Sequence, residues 1–240
     1  MVEIDGRWTM EGLELSDSRR IKTSMELSGF IEDIGFLPLF KNNVRGFSVE
    51  EITASASWWS DNPEEDPWEW REVIAEEGKI AYGKLFSNRA GFISREWYPM
   101  FASYRRDGYD FDSRYEDGLA SHRAKKIMEV LEREEVLLSN EIKPAAGFGK
   151  GGEKGFEGAM TSLQMQTYIT VRGFRRRRNK RNEEYGWSVA QFSLSEKLYG
   201  EDYVRSAYGI GREEAKQRII DRVKCRFPEA SLAEIERVIR

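Results

Sequence analysis

The residues best suited to chemistry lie between Leu163 and Leu194, in LQMQTYITVRGFRRRRNKRNEEYGWSVAQFSL. Seven cations, Arg172, Arg175, Arg176, Arg177, Arg178, Lys180 and Arg181, fall in one short span of it. Such a cluster suits phosphate contact, which gives affinity and salt sensitivity but no sequence readout. Neighbours on a strand point to opposite sides, so only some of the seven can serve one partner. Glu183 and Glu184 follow at once, so a solvated, self-balanced hairpin is the competing reading. Just before the cations stand Gln164, Met165 and Gln166.

Three other clusters invite chemistry. GFGKGG, residues 147–152, looks like a phosphate cradle, but it lacks the P-loop spacing and its Lys-Ser/Thr ending. A mobile connection before a helix is the better reading, with Lys150 as a secondary phosphate contact. WWSDNPEEDPWEW, residues 58–70, could stack a base or sugar on Trp58, Trp59 or Trp68. Its acids are consecutive and polar, and Asp66 and Glu69 suit helix capping, so a structural role competes. The chain has one cysteine, Cys225, and one histidine, His122. A His/Cys zinc site is therefore not expected, no cofactor is expected, and both residues read as structural.

The whole chain sets limits on all of these. It has 240 residues, 40% hydrophobic and 33% charged, with a net charge of −4. That balance argues against coating nucleic acid over the whole surface, though not against a local basic face. No apolar run approaches the roughly 18 residues of a membrane span, and the polar start does not resemble a signal peptide. The expected location is cytoplasmic, with no membrane partner.

Several elements must position these residues. Residues 1–24 lack periodicity and read as loosely ordered. Leu27, Phe30, Ile31 and Ile34 predict a helix ended by Gly35 and Pro38. Asp66 and Pro67 predict a helix from 67 to 76. Ile80, Tyr82 and Phe86 alternate up to Ser87-Asn88-Arg89, which predicts a β-hairpin. A helix follows, with Pro99 near its start and Gly108 as its stop. The stretch 113–138 predicts one long amphipathic helix, and SNEIKPAAGF a short second one capped by Ser139 or Asn140. A third helix runs from Phe156 to about Ile169, and then come two strands. The end is helical, with a capping box at Ser231–Glu234.

Helix, helix, helix and hairpin over 113–194 is the order of a winged-helix module. Its third helix would carry the recognition residues Lys154, Thr161, Gln164 and Thr167, and its wing the seven cations. The predicted fold is α+β, mainly helical. An N-terminal helix–β-hairpin–helix portion (25–112) packs on the winged helix (113–194), and C-terminal helices (195–240) pack on the core.

FIEDIGFLPLF, WWSDNPEEDPWEWRE, IAYGKLFSNRAGFISREWYPMFASYRRDGYDFD, GFGKGGEKGFEGAMTSLQMQTY and EEYGW resemble the AlkZ-related proteins. These are short relatives of the winged-helix DNA glycosylases of the AlkZ/YcaQ type. The resemblance implies duplex DNA as the partner and a link to DNA repair. Gln164-Met165-Gln166 matches the enzymes' Gln-apolar-Gln motif, so the resemblance implies catalytic roles for Gln164 and Gln166. They would position the water that releases an alkylated, positively charged purine. Amides can orient water, although they are poor bases. The enzymes carry the motif near their N-terminus, whereas here it lies past the midpoint. On a helix, side chains two residues apart diverge by about 200°, so Gln164 and Gln166 should not share a face. The residues leave open whether the chain is catalytic. A non-catalytic interaction module and a small-ligand-binding protein or enzyme stand as alternatives, and oligomeric state is not legible.

Overall fold

The structure is a computed structural model and describes residues 2–4, 7–179 and 181–240. It opens with a two-stranded antiparallel ribbon, β1 (Val2–Ile4) and β2 (Arg7–Thr9). The segment behind it is tied down, contrary to the expectation of loose order. Leu13 N–H reaches Thr53 O at 2.8 Å and Ile21 N–H reaches Ile52 O at 2.9 Å. Next come α1 (Ser24–Ile34), capped by Thr23 and closed by Gly35, and β3 (Phe36–Pro38). Then comes α2 (Val49–Ile52), capped by Ser48. In α3 (Pro67–Glu77) Asp66 caps through Trp68 N–H, with Pro67 in the first turn where no amide proton is needed.

The expected hairpin is β4 (Ile80–Phe86) and β5 (Arg89–Ser94). Ser87 (φ 47°) and Asn88 (φ 64°) both turn left-handed, as a two-residue hairpin loop that preserves strand twist requires. Then α4 (Tyr98–Arg106) leads to α5 (Phe111–Glu116) and α6 (His122–Arg133). The single long helix predicted over 113–138 is thus two helices and a strand. Gly118 adopts φ 71°, which a helix interior cannot accommodate, and Ser121 caps a fresh start. Leu119 is exposed in this break.

After β6 (Leu137–Leu138) comes α7 (Ser139–Ala145), one residue earlier than expected, with Glu141 accepting from Leu138 N–H at 2.8 Å. The glycine-rich loop after it is folded back, Glu153 N–H meeting Gly147 O at 3.1 Å. Glu153 pairs with Arg123 and Lys126 on α6. Next are α8 (Phe156–Met165), β7 (Ile169–Arg178) and β8 (Glu184–Leu194). The chain ends with α9 (Ser195–Tyr199), α10 (Glu201–Arg205), α11 (Arg212–Arg226) and α12 (Leu232–Ile239). The predicted Ser231–Glu234 capping box opens α12.

The architecture is α+β around one antiparallel six-stranded sheet of order β3-β5-β4-β7-β8-β6. Buried residues run nearly unbroken along β4 and β5, α1 packs on β4 and β5 and α3 on β4 and β7, with Phe36, Trp70, Phe92, Phe101 and Ile169 in the core. The seam between β4 and β7 is narrow, a single rung at Tyr82 and Val171. Beyond that rung the two strands part.

A second buried knot holds the turn after α8. Thr167 has φ 62°, costly for a branched residue, and is fully buried. Arg106, also fully buried, donates to Thr167 O (2.5 Å), Thr167 Oγ1 (3.1 Å) and Gln166 O (3.2 Å), and pairs with Glu196. Tyr98 Oη and Ser195 Oγ donate to the same Thr167 carbonyl, at 2.9 and 2.6 Å. Burial opposes the Arg106 charge, yet Glu196 outweighs it and the guanidinium holds its proton more tightly than usual.

Candidate functional site

Two places bring candidate residues together. The first is a cavity of about 590 Å³ where β4 and β7 part. Phe40, Trp68, Tyr82 and Phe174 form its aromatic walls, and Gln164 reaches it from α8. Lys84 N–H points toward the place a further β7 rung would occupy. Gln164 Oε1 accepts it instead, at 2.9 Å, while Gln164 Nε2 donates to Met160 O at 3.1 Å. Gln164 is therefore buried, not displayed on an outer helix face. Gly83 makes this possible, since a Cβ there would lie 3.0 Å from Gln164 Oε1.

Gln166 goes elsewhere. It is the residue that ends α8, and its Nε2 donates to Ser162 Oγ at 3.0 Å. The two amides diverge, as helical geometry requires. Thr167, expected on the recognition face, is buried by the Arg106 knot, because the left-handed turn folds it inward. Lys154 is exposed just before α8, and Thr161 is half-buried with Lys84 Nζ 3.3 Å from its hydroxyl.

Trp68 alone of the three candidate stacking rings lines the cavity. Trp58 is buried, its Nε1–H on Thr53 Oγ1 at 2.9 Å, and its ring packs against Phe40. Trp59 is exposed in a left-handed turn, φ 57°. The Arg71 guanidinium sits over Trp68 at 4.0 Å and over Phe174 at 4.4 Å, so it positions both walls. Burial pushes the Tyr82 hydroxyl up to about 12, an effect that nearby Arg71 partly offsets. Glu50, also lining the cavity, accepts backbone N–H groups of Glu11 (3.0 Å) and Lys41 (2.9 Å). Of these residues only Gln164 and Trp68 stood out in the sequence. The others come from five separate segments with no shared spacing.

The second place is the β7–β8 hairpin. It projects past the body, so Arg175, Arg176, Arg177 and Arg178 are all exposed, despite strand alternation. Arg172 is half-buried and donates to Glu76 O at 2.9 Å. Arg175 pairs with Glu76 at 2.7 Å and Arg178 with Glu184 at 3.2 Å. Among the described residues Arg176, Arg177 and Arg181 have no acidic partner. Lys180 lies outside the described residues. Asn179 Oδ1 closes the tip by accepting Arg181 N–H (2.8 Å) and Glu183 N–H (3.0 Å).

The returning strand β8 starts out in solvent. Trp187 is 72% and Tyr185 50% exposed. A register shift between Arg175 and Arg177, opposite Gly186 at φ 70°, lets both rings stand free. Burial resumes only at Ser188. The sequence signal for this was an aromatic pair flanking glycine beside an arginine run.

Among the described residues no cluster of His, Cys, Asp and Glu side chains could hold a metal ion. No helix is long and apolar enough to cross a membrane. Cys225 is exposed on α11, and His122 Nδ1 lies 3.3 Å from Tyr115 Oη. No curated protein and no solved structure matches the chain. The family described as AlkZ related matches residues 21–240, nearly its whole length, so the chain belongs to the AlkZ-related family.

Proposed function

We propose that this is a DNA-binding protein, related to the AlkZ/YcaQ glycosylases, that grips duplex DNA with a winged-helix module. The observation that carries the reading is the projecting hairpin, where Arg176, Arg177 and Arg181 lack acidic partners beside exposed Trp187 and Tyr185. Free guanidiniums replace counterions along a phosphate backbone, and exposed rings stack on bases or pack on sugars. The element order supports the module. α6, β6, α7, α8, β7 and β8 follow one another, and β6 pairs with β8 at Leu137 and Phe192. In that reading α8 is the recognition helix and the hairpin is the wing. Lys154, exposed just before α8, adds a cation near the start of that helix, and family membership favours a DNA partner. The role extends to DNA repair through the same kinship.

Hydrolysis by paired glutamines is not part of the proposal. That chemistry needs both amides on one water. The two amides serve different neighbours, Gln164 binding Lys84 and Met160 and Gln166 binding Ser162.

Binding of plain duplex DNA, followed across salt, tests the reading. Removing one cation that touches a phosphate should flatten the slope of log K against log salt by about 0.9. The double variant Arg176→Ala/Arg177→Ala should therefore bind more weakly and with a slope shallower by about 1.8. No binding by the wild type at low salt would refute it. Release of N7-methylated bases, compared among wild type, Gln164→Ala and Gln166→Ala, tests the glutamine mechanism separately.

A further inference from the structure

The aromatic cavity is not explained by duplex binding, and its lining has one electrical sense. Lys41, Lys84 and Arg89 line it against a single carboxylate, Glu50. Both Glu50 oxygens already accept backbone N–H groups. Lys41 is engaged with Glu11 at 2.8 Å, whereas Arg89 and Lys84 have no ion-pair partner among the described residues. Behind the wall lies Arg71, 5% exposed, paired with Glu72 at 3.0 Å and pressed on the Trp68 and Phe174 rings. Its Nε has no partner among the described residues, and neither has Trp68 Nε1.

The hydrogen-bonding capacity is equally one-sided. The Trp68 ring supplies apolar wall, and its Nε1–H is a buried donor with no partner among the described residues. Gln164 makes two bonds with groups that can make four, which leaves one N–H and one carbonyl lone pair. The apolar walls are four rings, and the volume of about 590 Å³ lies within the range of small-molecule sites. A flat ring rich in acceptors fits between such walls. A negative group on it would meet Lys84 and Arg89 at the rim.

We infer that the cavity binds an uncharged, acceptor-rich nucleobase carrying a 5′-phosphate, the base against Trp68, Phe174 and Gln164 and the phosphate on Lys84 and Arg89. A cationic ring is disfavoured there, because it would be desolvated beside like charges. The inference stands apart from the hairpin's duplex contact. Its ligand has two sources, a free mononucleotide or a nucleotide unstacked from a strand, and one set of titrations separates them.

The full chain is titrated with guanosine 5′-monophosphate, guanosine and N7-methylguanosine at mildly acidic pH, where the methylated ring is cationic. Tryptophan fluorescence and calorimetry report binding. A second arm uses a duplex with one unpaired guanine beside the same duplex fully paired. The monophosphate should bind saturably, guanosine roughly tenfold more weakly and the cationic nucleoside more weakly still. Lys84→Ala/Arg89→Ala should lose roughly tenfold or more toward the monophosphate, with an unchanged melting temperature because both side chains are exposed. Trp68→Ala removes one aromatic wall and should also weaken binding. If only the unpaired-guanine duplex binds better than the paired one, and does so through Lys84 and Arg89, the strand is the source and the inference holds. It is overturned if neither probe binds saturably. It is also overturned if guanosine or the cationic nucleoside matches the monophosphate, or if the Lys84/Arg89 variant binds undiminished. Arg176→Ala/Arg177→Ala should leave mononucleotide binding intact, so loss of plain-duplex binding and failure of this site are read separately.

Discussion

Replacing Gln164 with alanine should destabilise the fold far more than the same change at Gln166. Among the described residues the Gln164 carbonyl is the side-chain acceptor for Lys84 N–H at the point where the β4–β7 ladder stops. Truncation leaves that donor unpaired, which costs about 1–3 kcal/mol. The bond to Met160 O is worth less, because a helical carbonyl keeps its backbone donor, and we assign it about 0.5 kcal/mol. The adjoining cavity gives water a route to Lys84 N–H, which places the total near 2 kcal/mol. In a chain of this length that lowers Tm by about 4–8 °C. The Gln166 side chain bonds Ser162 on a half-exposed turn, so Gln166→Ala should stay within about 0.5 kcal/mol of wild type. Gln164→Glu should be worse than Gln164→Ala at neutral pH, because it sets an oxygen against Met160 O. Urea unfolding followed by circular dichroism gives all three values. Equal costs at 164 and 166 would refute the view that Gln164 completes the sheet and that the two amides serve different neighbours.

Gly83→Ala should cost about 1–3 kcal/mol, since the new methyl meets Gln164 Oε1 at 3.0 Å, and denaturation should show the loss partly relieved in a Gln164→Ala background. Arg106→Met should cost about 3–5 kcal/mol by stranding Glu196 and the Thr167 carbonyl, with Arg106→Lys recovering less than half, as thermal melts would show. The Lys126 ammonium holds the Glu153 carboxyl below its ordinary value of 4.5. Folding therefore gains from this pair above that pH and loses it as pH falls through the depressed value, a dependence that Glu153→Gln should abolish in a carboxyl titration by NMR.

Much of the local structure was legible in the sequence because its causes are local. Asp66-Pro67 starts a helix by satisfying or removing terminal N–H groups, and Ser231 with Glu234 does the same at the end of the chain. Ser87-Asn88 makes a tight hairpin because short polar residues tolerate left-handed backbone. The helical divergence of Gln164 and Gln166 likewise needed only the turn angle of a helix. Gly118 stood in plain view, but its positive φ is a choice the chain makes only when α5 and α6 pack, so the predicted long helix broke there.

The candidate sites divide in the same way. Residue types and spacing determined the arginine-rich hairpin, since a run of guanidiniums between two β-forming stretches has few other places to go. Tertiary structure alone decided that Trp187 and Tyr185 stand in solvent, because burial depends on what lies opposite a strand and here nothing does. It alone decided the cavity as well. A cavity is set by where two strands stop pairing, and Phe40, Trp68, Tyr82, Gln164 and Phe174 meet there from distant parts of the chain. Gln164 joined them because its amide stands in for a missing rung of the sheet, a role fixed by its distance to Lys84 and by no pattern in its own neighbourhood.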